Sequence, residues 1–489
     1  MILDNFVMSF FTELIKNKKN TPLECSVLMY AYFQMLYNFG ALFYNYKISN
    51  DRQKIIPNYR KLKKQYLETK DEIIIYNFLL VGHNSILNYL FQTPPKNPGD
   101  FGFSNYIFPE SLVILLKDWS ISHIQSKSIE LNRAGKTPNI SGLTADYTGS
   151  NDSSKYWTPL IVPTGTKTGL FGLPLVDKSD PTSFKIQPLL GKDYYMNRGF
   201  ALNPEKKIKD FSESISKTWE TGLKEEIDKL LNVYENLDDG KKIIAEFFAG
   251  TDTSVLPPPG FFIIIAMLLS QKYNQNLENN LKMYFMLSSG IFDASIGAWY
   301  YKSKYNQARP ISLIRNNYAE DIILSWTPIY KNINSYFIKG KRWLPYQELN
   351  FVTPPFQDVA SGHSTFSRVA GELLNWWFNN PVLYDGKTTI FFENQKILCP
   401  LLPSTQKCLL GEFIFEKGIS KIEPGITPQN QVKLHFKNLK VMYKNAGLSR
   451  IYGGIHTFQT NAISQKLGKY IFLRTKRKLI KKFKFTPPF

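Results

Sequence analysis

The stretch "ASGHSTFSRVAGELLNWWF", residues 360–378, decides how this chain is read. Its second half is an apolar helical run, and Ser361, Gly362 and His363 stand at the mouth of that helix. Serine caps, glycine turns and the histidine follows, so an ordinary helix start accounts for the tripeptide. The same helix mouth carries free N–H groups and a positive dipole end, which attract oxyanions. The tripeptide alone does not choose between the two.

The rest of the chain narrows the choice. With 489 residues, 43% hydrophobic and 15% aromatic, it is globular and long enough for a large core or for one to three domains. The net charge of +20 comes mostly from lysine, 49 Lys against 11 Arg. A Lys-, Asn-, Ile- and Tyr-rich composition follows from AT-rich coding, so the charge alone is a weak argument for nucleic acid. The densest basic run is "RTKRKLIKKFKF" (474–485), read first as a solvated helix end and second as a polyanion or membrane-surface contact. Only Phe483 and Phe485 interleave it, too few for a stacking platform, and no nucleic-acid partner is expected. Cys25, Cys399 and Cys408 form neither a disulfide framework nor a zinc pattern. Cys399 and Cys408 could pair across a Pro-containing loop, but reduced thiols are expected. Asp4 stands where a signal peptide needs basic residues, and a cytoplasmic location is expected. "FFIIIAMLL" (261–269) is too short to cross a bilayer. Gln34, Asn38, Asn45 and several tyrosines make 26–46 a buried helix rather than a span.

Residues 5–90 read as helices. From 93 to 205, clusters such as "QTPPKNPGDFGF" and "TADYTGSNDSSKYWTPL" describe a loop-rich flank with one helix over 109–133. Helical texture returns from 205 to 308, broken at "AGTDTSVLPPPG" and ended at Arg309-Pro310. Residues 380–440 carry three short β-type runs, "TTIFFE", "GEFIFE" and "VKLHF". The last helices run to about 480. No internal repeat is visible. The expectation is a mainly α protein, one unit over 1–489 with a small β excursion.

Two further constellations join Ser361-Gly362-His363. In "GAWYYKSKYNQARP" (297–310), Lys302 and Arg309 are seven residues apart, close to two helical turns, which puts both cations on one face. A solvated stripe usually explains such a pair, but Trp299, Tyr300, Tyr301, Ala308 and Pro310 are an apolar setting for one. In "AGLSRIYGGIHTFQTNA" (446–462), five residues separate Arg450 from His456, and Gly453-Gly454 supplies a break that lets both face one pocket. A helix join with a surface arginine and a core histidine is the plainer alternative.

Taken in order, K-x6-R-P, S-G-H and S-R-x5-H resemble the superfamily of vanadium-dependent haloperoxidases and acid phosphatases. "LDDGKKIIAEFFAGTDTSVLPPPGFF", "FDASIGAWYYKSKYNQARPISLIR" and "PPFQDVASGHSTFSRVAGELL" are similar to segments of the larger bacterial-type haloperoxidases. The likeness is weak over the first 230 residues and strong over 235–470. It implies paired helical bundles around an oxyanion site. Carried over by motif, vanadate oxygens would be held by Lys302, Arg309, Arg450, Ser361 and Gly362. His456 would coordinate vanadium, and His363 would be the acid–base group. Hydrogen peroxide, a halide and an organic acceptor are the implied reactants, with phosphate or sulfate as alternative occupants. A phosphatase using His456 as nucleophile remains open, as does a non-catalytic anion- or polyanion-binding role. A homo-oligomer is open too. Trp299 and Phe356 fall at positions implied to border a halide, with core packing an equal alternative.

One departure stands out. The family pattern continues the last histidine as H-x3-D, whereas this chain has Thr460. A hydroxyl could accept a hydrogen bond from the imidazole but brings no charge, so a less basic His456 is expected. Asp252 or Asp293 is a candidate to supply the carboxylate. His83, His123 and His435 lie outside the motifs and are expected to be structural.

Overall fold

The computed structural model describes residues 2–17, 21–44, 71–101, 103–137, 156–169, 174–203, 208–211, 222–250, 255–329, 335–392, 394–404 and 407–489. Three helices come first: α1 (Ile2–Lys16), α2 (Pro22–Tyr44) and α3 (Glu72–Phe91). In the flank are α4 (Glu110–Gln125) and α5 (Ser128–Arg133). The central series is α6 (Lys224–Glu235), α7 (Asp239–Phe247), α8 (Pro258–Lys272), α9 (Leu277–Tyr305) and α10 (Pro310–Asn317). The last three are α11 (Gly362–Trp377), α12 (Leu439–Tyr452) and α13 (Phe458–Lys478). The protein is mainly α, as its sequence implies.

The 29-residue α9 is the axis of the molecule. Asn276 caps it, its side chain accepting from the Asn279 amide at 2.9 Å. Every residue from Met283 to Trp299 is buried, so the helix is covered on all sides instead of along one stripe. On one side α2 meets it through stacked rings: Tyr30 on Phe292 at 4.8 Å, Phe33 on Tyr284 at 5.2 Å and Tyr37 on Phe285 at 4.3 Å. On the others pack α8, α11 and α13. Two glycines permit that approach. A Cβ at Gly290 would meet Leu373 Cδ1 of α11 at 2.5 Å, and one at Gly297 would meet Ile471 Cδ1 of α13 at 2.7 Å.

A second apolar cluster gathers Leu230, Tyr234, Ile311, Ile314, Trp326, Trp343 and Tyr346 around α6 and α10. The run at 261–269 and the uncharged stretch from 26 to 42 lie buried in α8 and α2. Among the described residues one helix, α3, is long and apolar enough to cross a membrane by length and composition, and 61% of that window is buried inside the protein. Cys25, Cys399 and Cys408 are not joined in a disulfide.

Strands occur only in short antiparallel pairs among the described residues. In the flank, β1 (Lys136–Thr137) pairs with β4 (Leu189–Leu190), and β2 (Ile161–Pro163) with β3 (Phe184–Ile186). The flank thus holds two helices and two ladders where one helix was expected. A further pair, β5 (Ile322–Ser325) with β6 (Tyr336–Lys339), falls where no strand was expected. The expected excursion at 380–440 forms β7 (Thr389–Phe391) with β8 (Lys407–Leu409), and β9 (Glu412–Phe415) with β10 (Val432–His435).

Candidate functional site

Lys302 lies buried in the last turn of α9. Its Nζ donates to the carbonyls of Gln357 at 2.6 Å and Asp358 at 3.1 Å. The ammonium also sits 4.7 Å from the Phe356 ring centroid and 5.6 Å from that of Trp299. Arg309 does not share its helical face. The helix ends earlier than Arg309-Pro310, at Asn306, which takes the left-handed conformation with φ 46°, and Arg309 becomes the N-cap of α10. The two cations meet for another reason: both reach the loop 356–358. Arg309 Nε donates to the Phe356 carbonyl at 2.8 Å, and its guanidinium carbon lies 5.0 Å from the Phe356 centroid. Trp299 spends its indole N–H on the Leu190 carbonyl at 3.0 Å, so both aromatics pack around the cations.

The helix start in the opening stretch is real. Ser361 N-caps α11, its hydroxyl accepting from the Ser364 amide at 3.3 Å and from Ser364 Oγ at 3.0 Å. Gly362 and His363 are its first helical residues, where amides have no intrahelical acceptor. His363 Nε2 lies 2.8 Å from the Phe248 carbonyl. A carbonyl only accepts, so Nε2 carries the proton and the lone pair of the neutral ring is on Nδ1. Burial, then the nearby Arg450 guanidinium, holds this imidazole well below its ordinary range. It borders a cleft whose other walls include Phe247, Phe248, Phe261 and Phe262.

Arg450 projects from the last turn of α12, which stops at Tyr452. Its Nε donates to Ser449 Oγ at 3.0 Å and its Nη2 to the Ala245 carbonyl. Gly454 turns the chain at φ +68°, and a Cβ there would strike the Tyr234 hydroxyl at 2.2 Å. The reversal brings His456 to Arg309, whose Nη1 donates to the Ile455 carbonyl at 2.8 Å and lies 3.2 Å from His456 Nε2. Thr457 then caps α13.

The carboxylate missing from position 460 is supplied from elsewhere. Asp358, fully buried, hydrogen-bonds His456 Nδ1 through Oδ1, and its Oδ2 accepts from Thr460 Oγ1 at 2.6 Å. Thr460 therefore donates to a carboxylate and does not accept from the imidazole, and His456 has the charged neighbour it was expected to lack. Asp293 is not that neighbour. It receives the Ala201 amide at 2.8 Å and the Thr475 hydroxyl at 3.0 Å, and the hydrogen bonds of His363 and His456 go to other residues. Asp252 lies outside the described residues. The only sequence signal for Asp358 is its place three residues before Ser361. His83, His123 and His435 bond to the Tyr32 hydroxyl, the Ala31 carbonyl and Glu412 respectively.

The electrostatics suit an anion. Burial lowers Lys302 well below the usual lysine range, with Arg309 adding to it. It also brings Arg309 down to about 10 and Arg450 to about 9. His456 is lowered to about 3, burial outweighing the raising effect of Asp358. Burial pushes Asp358 up, but His456 and Arg309 hold it below its ordinary value. Among the described residues Arg309 Nη2 and Arg450 Nη1 are buried without a hydrogen-bond partner, a costly arrangement that an oxyanion would relieve. Among those residues no group of three or more His, Cys, Asp and Glu gathers to hold a metal cation. The donor set fits an oxyanion such as vanadate, phosphate or sulfate.

Known proteins share the fold. Residues 282–482, which carry Lys302 through His456, match the family model of the VCPO second helical-bundle domain. A crystal structure of an apo-type bacterial vanadium-dependent chloroperoxidase superposes with a TM-score of 0.63 at 15% identity, covering 94% of both chains. Its holo-type counterpart gives 0.64 at 14% identity, over 94% of this chain and 93% of that one. A bacterial vanadium-dependent iodoperoxidase gives 0.56 at 16% identity, over 98% and 96%. No curated protein sequence matches significantly. The fold is that of the vanadium-dependent haloperoxidases.

Proposed function

We propose that this chain is a vanadate-dependent haloperoxidase that uses hydrogen peroxide to oxidise a halide, delivering a hypohalous-acid equivalent to organic acceptors. One observation carries the reading: three buried cations, two of them with an unpaired N–H, gather with two neutral imidazoles, and Asp358 on Nδ1 of His456 leaves that ring's lone pair on Nε2, beside Arg309. Lys302, Arg309, Arg450 and the first amides of α11 would hold the oxyanion, with Ser361 Oγ as a further donor. His456 Nε2 would be the ligand atom. When bound, vanadate supplies Lewis-acid activation of peroxide towards halide attack. The chain does the rest. Lys302 and the two arginines neutralise negative charge without supplying protons of their own. His363, neutral with its lone pair on Nδ1, would accept a proton from incoming hydrogen peroxide at that atom and later give it back. Trp299 and Phe356 shield the cations from water.

A phosphatase is the second reading, and Asp358 favours it specifically: an imidazole with a carboxylate on Nδ1 is also what a histidine nucleophile needs. Protein freed of oxyanions separates the two. Reloaded with vanadate, it should brominate a dione in a peroxide-dependent reaction that His456→Ala abolishes. Phosphate-ester hydrolysis without bromination, inhibited by added vanadate, would move the chain to the phosphatase class.

A further inference from the structure

Asp358 has no free edge. Its Oδ1 bonds His456 Nδ1 and lies 3.8 Å from Arg309 Nη1, while Oδ2 takes the Thr460 hydroxyl at 2.6 Å. Its backbone is engaged as well, the carbonyl receiving Lys302 Nζ at 3.1 Å and the amide donating to the Gln307 carbonyl at 3.0 Å. Thr460 extends the same network. Its carbonyl accepts from Ser464 Oγ at 2.6 Å, and Ser464 Oγ in turn accepts the Ser361 amide at 2.8 Å. One chain of hydrogen bonds thus runs from Ser361 through Ser464, Thr460 and Asp358 to His456.

We propose that Asp358 is the positioning residue for His456, a carboxylate standing on the loop before α11 in place of one on α13, with Thr460 as its obligate hydrogen-bond donor. The inference rests on reading His456 as a ligand or nucleophile. A carboxylate accepts only, so it fixes the proton on Nδ1 and leaves Nε2 as the sole lone pair. It also ties that imidazole to Arg309 and, through the same residue's carbonyl, to Lys302. Positions 358 and 460 then form one unit whose total charge is what matters. A second carboxylate at 460 would stand within hydrogen-bond distance of the first, and two like charges buried together repel. Each single change should therefore harm the site, whereas moving the carboxylate from 358 to 460 should not.

The test uses Asp358→Ala, Thr460→Asp and the double variant in the full chain, with inorganic phosphate as calorimetric probe and 15N-labelled histidine to read the imidazole tautomers. Five histidines keep that spectrum assignable. Both single variants should bind phosphate about tenfold or more weakly, and the double variant should recover most of the loss. His456 should hold its proton on Nδ1 in the wild type and the double variant, and exchange between nitrogens in Asp358→Ala. An Asp358→Ala protein that keeps both the tautomer and the affinity overturns the proposal. So does a double variant no better than Asp358→Ala. If Asp358→Ala does not fold, recovery of folding and phosphate binding by the double variant supports it, and continued unfolding rejects it. Wild-type protein that shows this pattern without bromination would reject the haloperoxidase reading and leave Asp358 in its role.

Discussion

Arg309 is the residue where geometry is most demanding. Its Nε and Nη1 donate to two carbonyls while Nη2 is buried without a partner, a planar fork that lysine cannot reproduce. Arg309→Lys should weaken phosphate binding by about 10- to 100-fold while leaving the fold intact, as calorimetry and thermal melting would report. His83 supports a prediction of another kind. Stacked 4.9 Å from Phe6 and bonded to Tyr32 at 2.7 Å, it is lowered by burial from 6.5 to about 3. The fold holds it neutral, so the unfolded chain binds more protons in that window. Its contribution is complete above about 6.5 and fades as pH falls towards 3. At pH 5 the loss amounts to about 2 kcal/mol. His83→Phe keeps the ring, so its melting temperature should fall less than that of the wild type between pH 7.5 and 5; an equal fall would count against the assignment. At this scale Lys302, Arg309, Arg450, Ser361 and the two motif histidines were legible because residue type and spacing coincide with a known pattern. Asp358 was not, because a carboxylate reaching across the bundle from a loop leaves no periodicity to read.

Among the elements, α9 shows where helical texture suffices and where it misleads. Its long apolar run is visible in the sequence, and its covering by α2, α8, α11 and α13 follows from there being no polar face to leave in water. The glycines have a packing role. Gly290→Ala would drive a methyl against Leu373 and Val369, at 2.5 and 3.0 Å, and should destabilise the protein by about 1–3 kcal/mol, checked as a lower melting temperature. The end of α9 was misplaced by the rule that a residue before proline leaves the helix, since Asn306 had already stopped it in the left-handed conformation. Lys302 and Arg309 converge through a shared loop, a tertiary cause that a helical wheel does not contain. The short ladders were missed for a similar reason: two- to four-residue strands are defined by their partners.

For the molecule as a whole, the proposed anion accounts for how a buried cluster of cations is tolerated. The fold supplies the means: α9 ends there, α11 begins there, and the turn between α12 and α13 closes the ring. Oxyanions should then act as stabilisers by mass action, raising the unfolding free energy by about 2.7 kcal/mol at a hundred times the dissociation constant. Sulfate or phosphate should raise the melting temperature of the wild type, and a neutral salt of equal ionic strength should not. The most direct test is a calorimetric titration of vanadate into oxyanion-stripped protein, beside Arg450→Ala and His456→Ala. The account predicts one vanadate per chain, bound at least tenfold more weakly by each variant. Absence of binding, or an affinity that neither substitution changes, would contradict it.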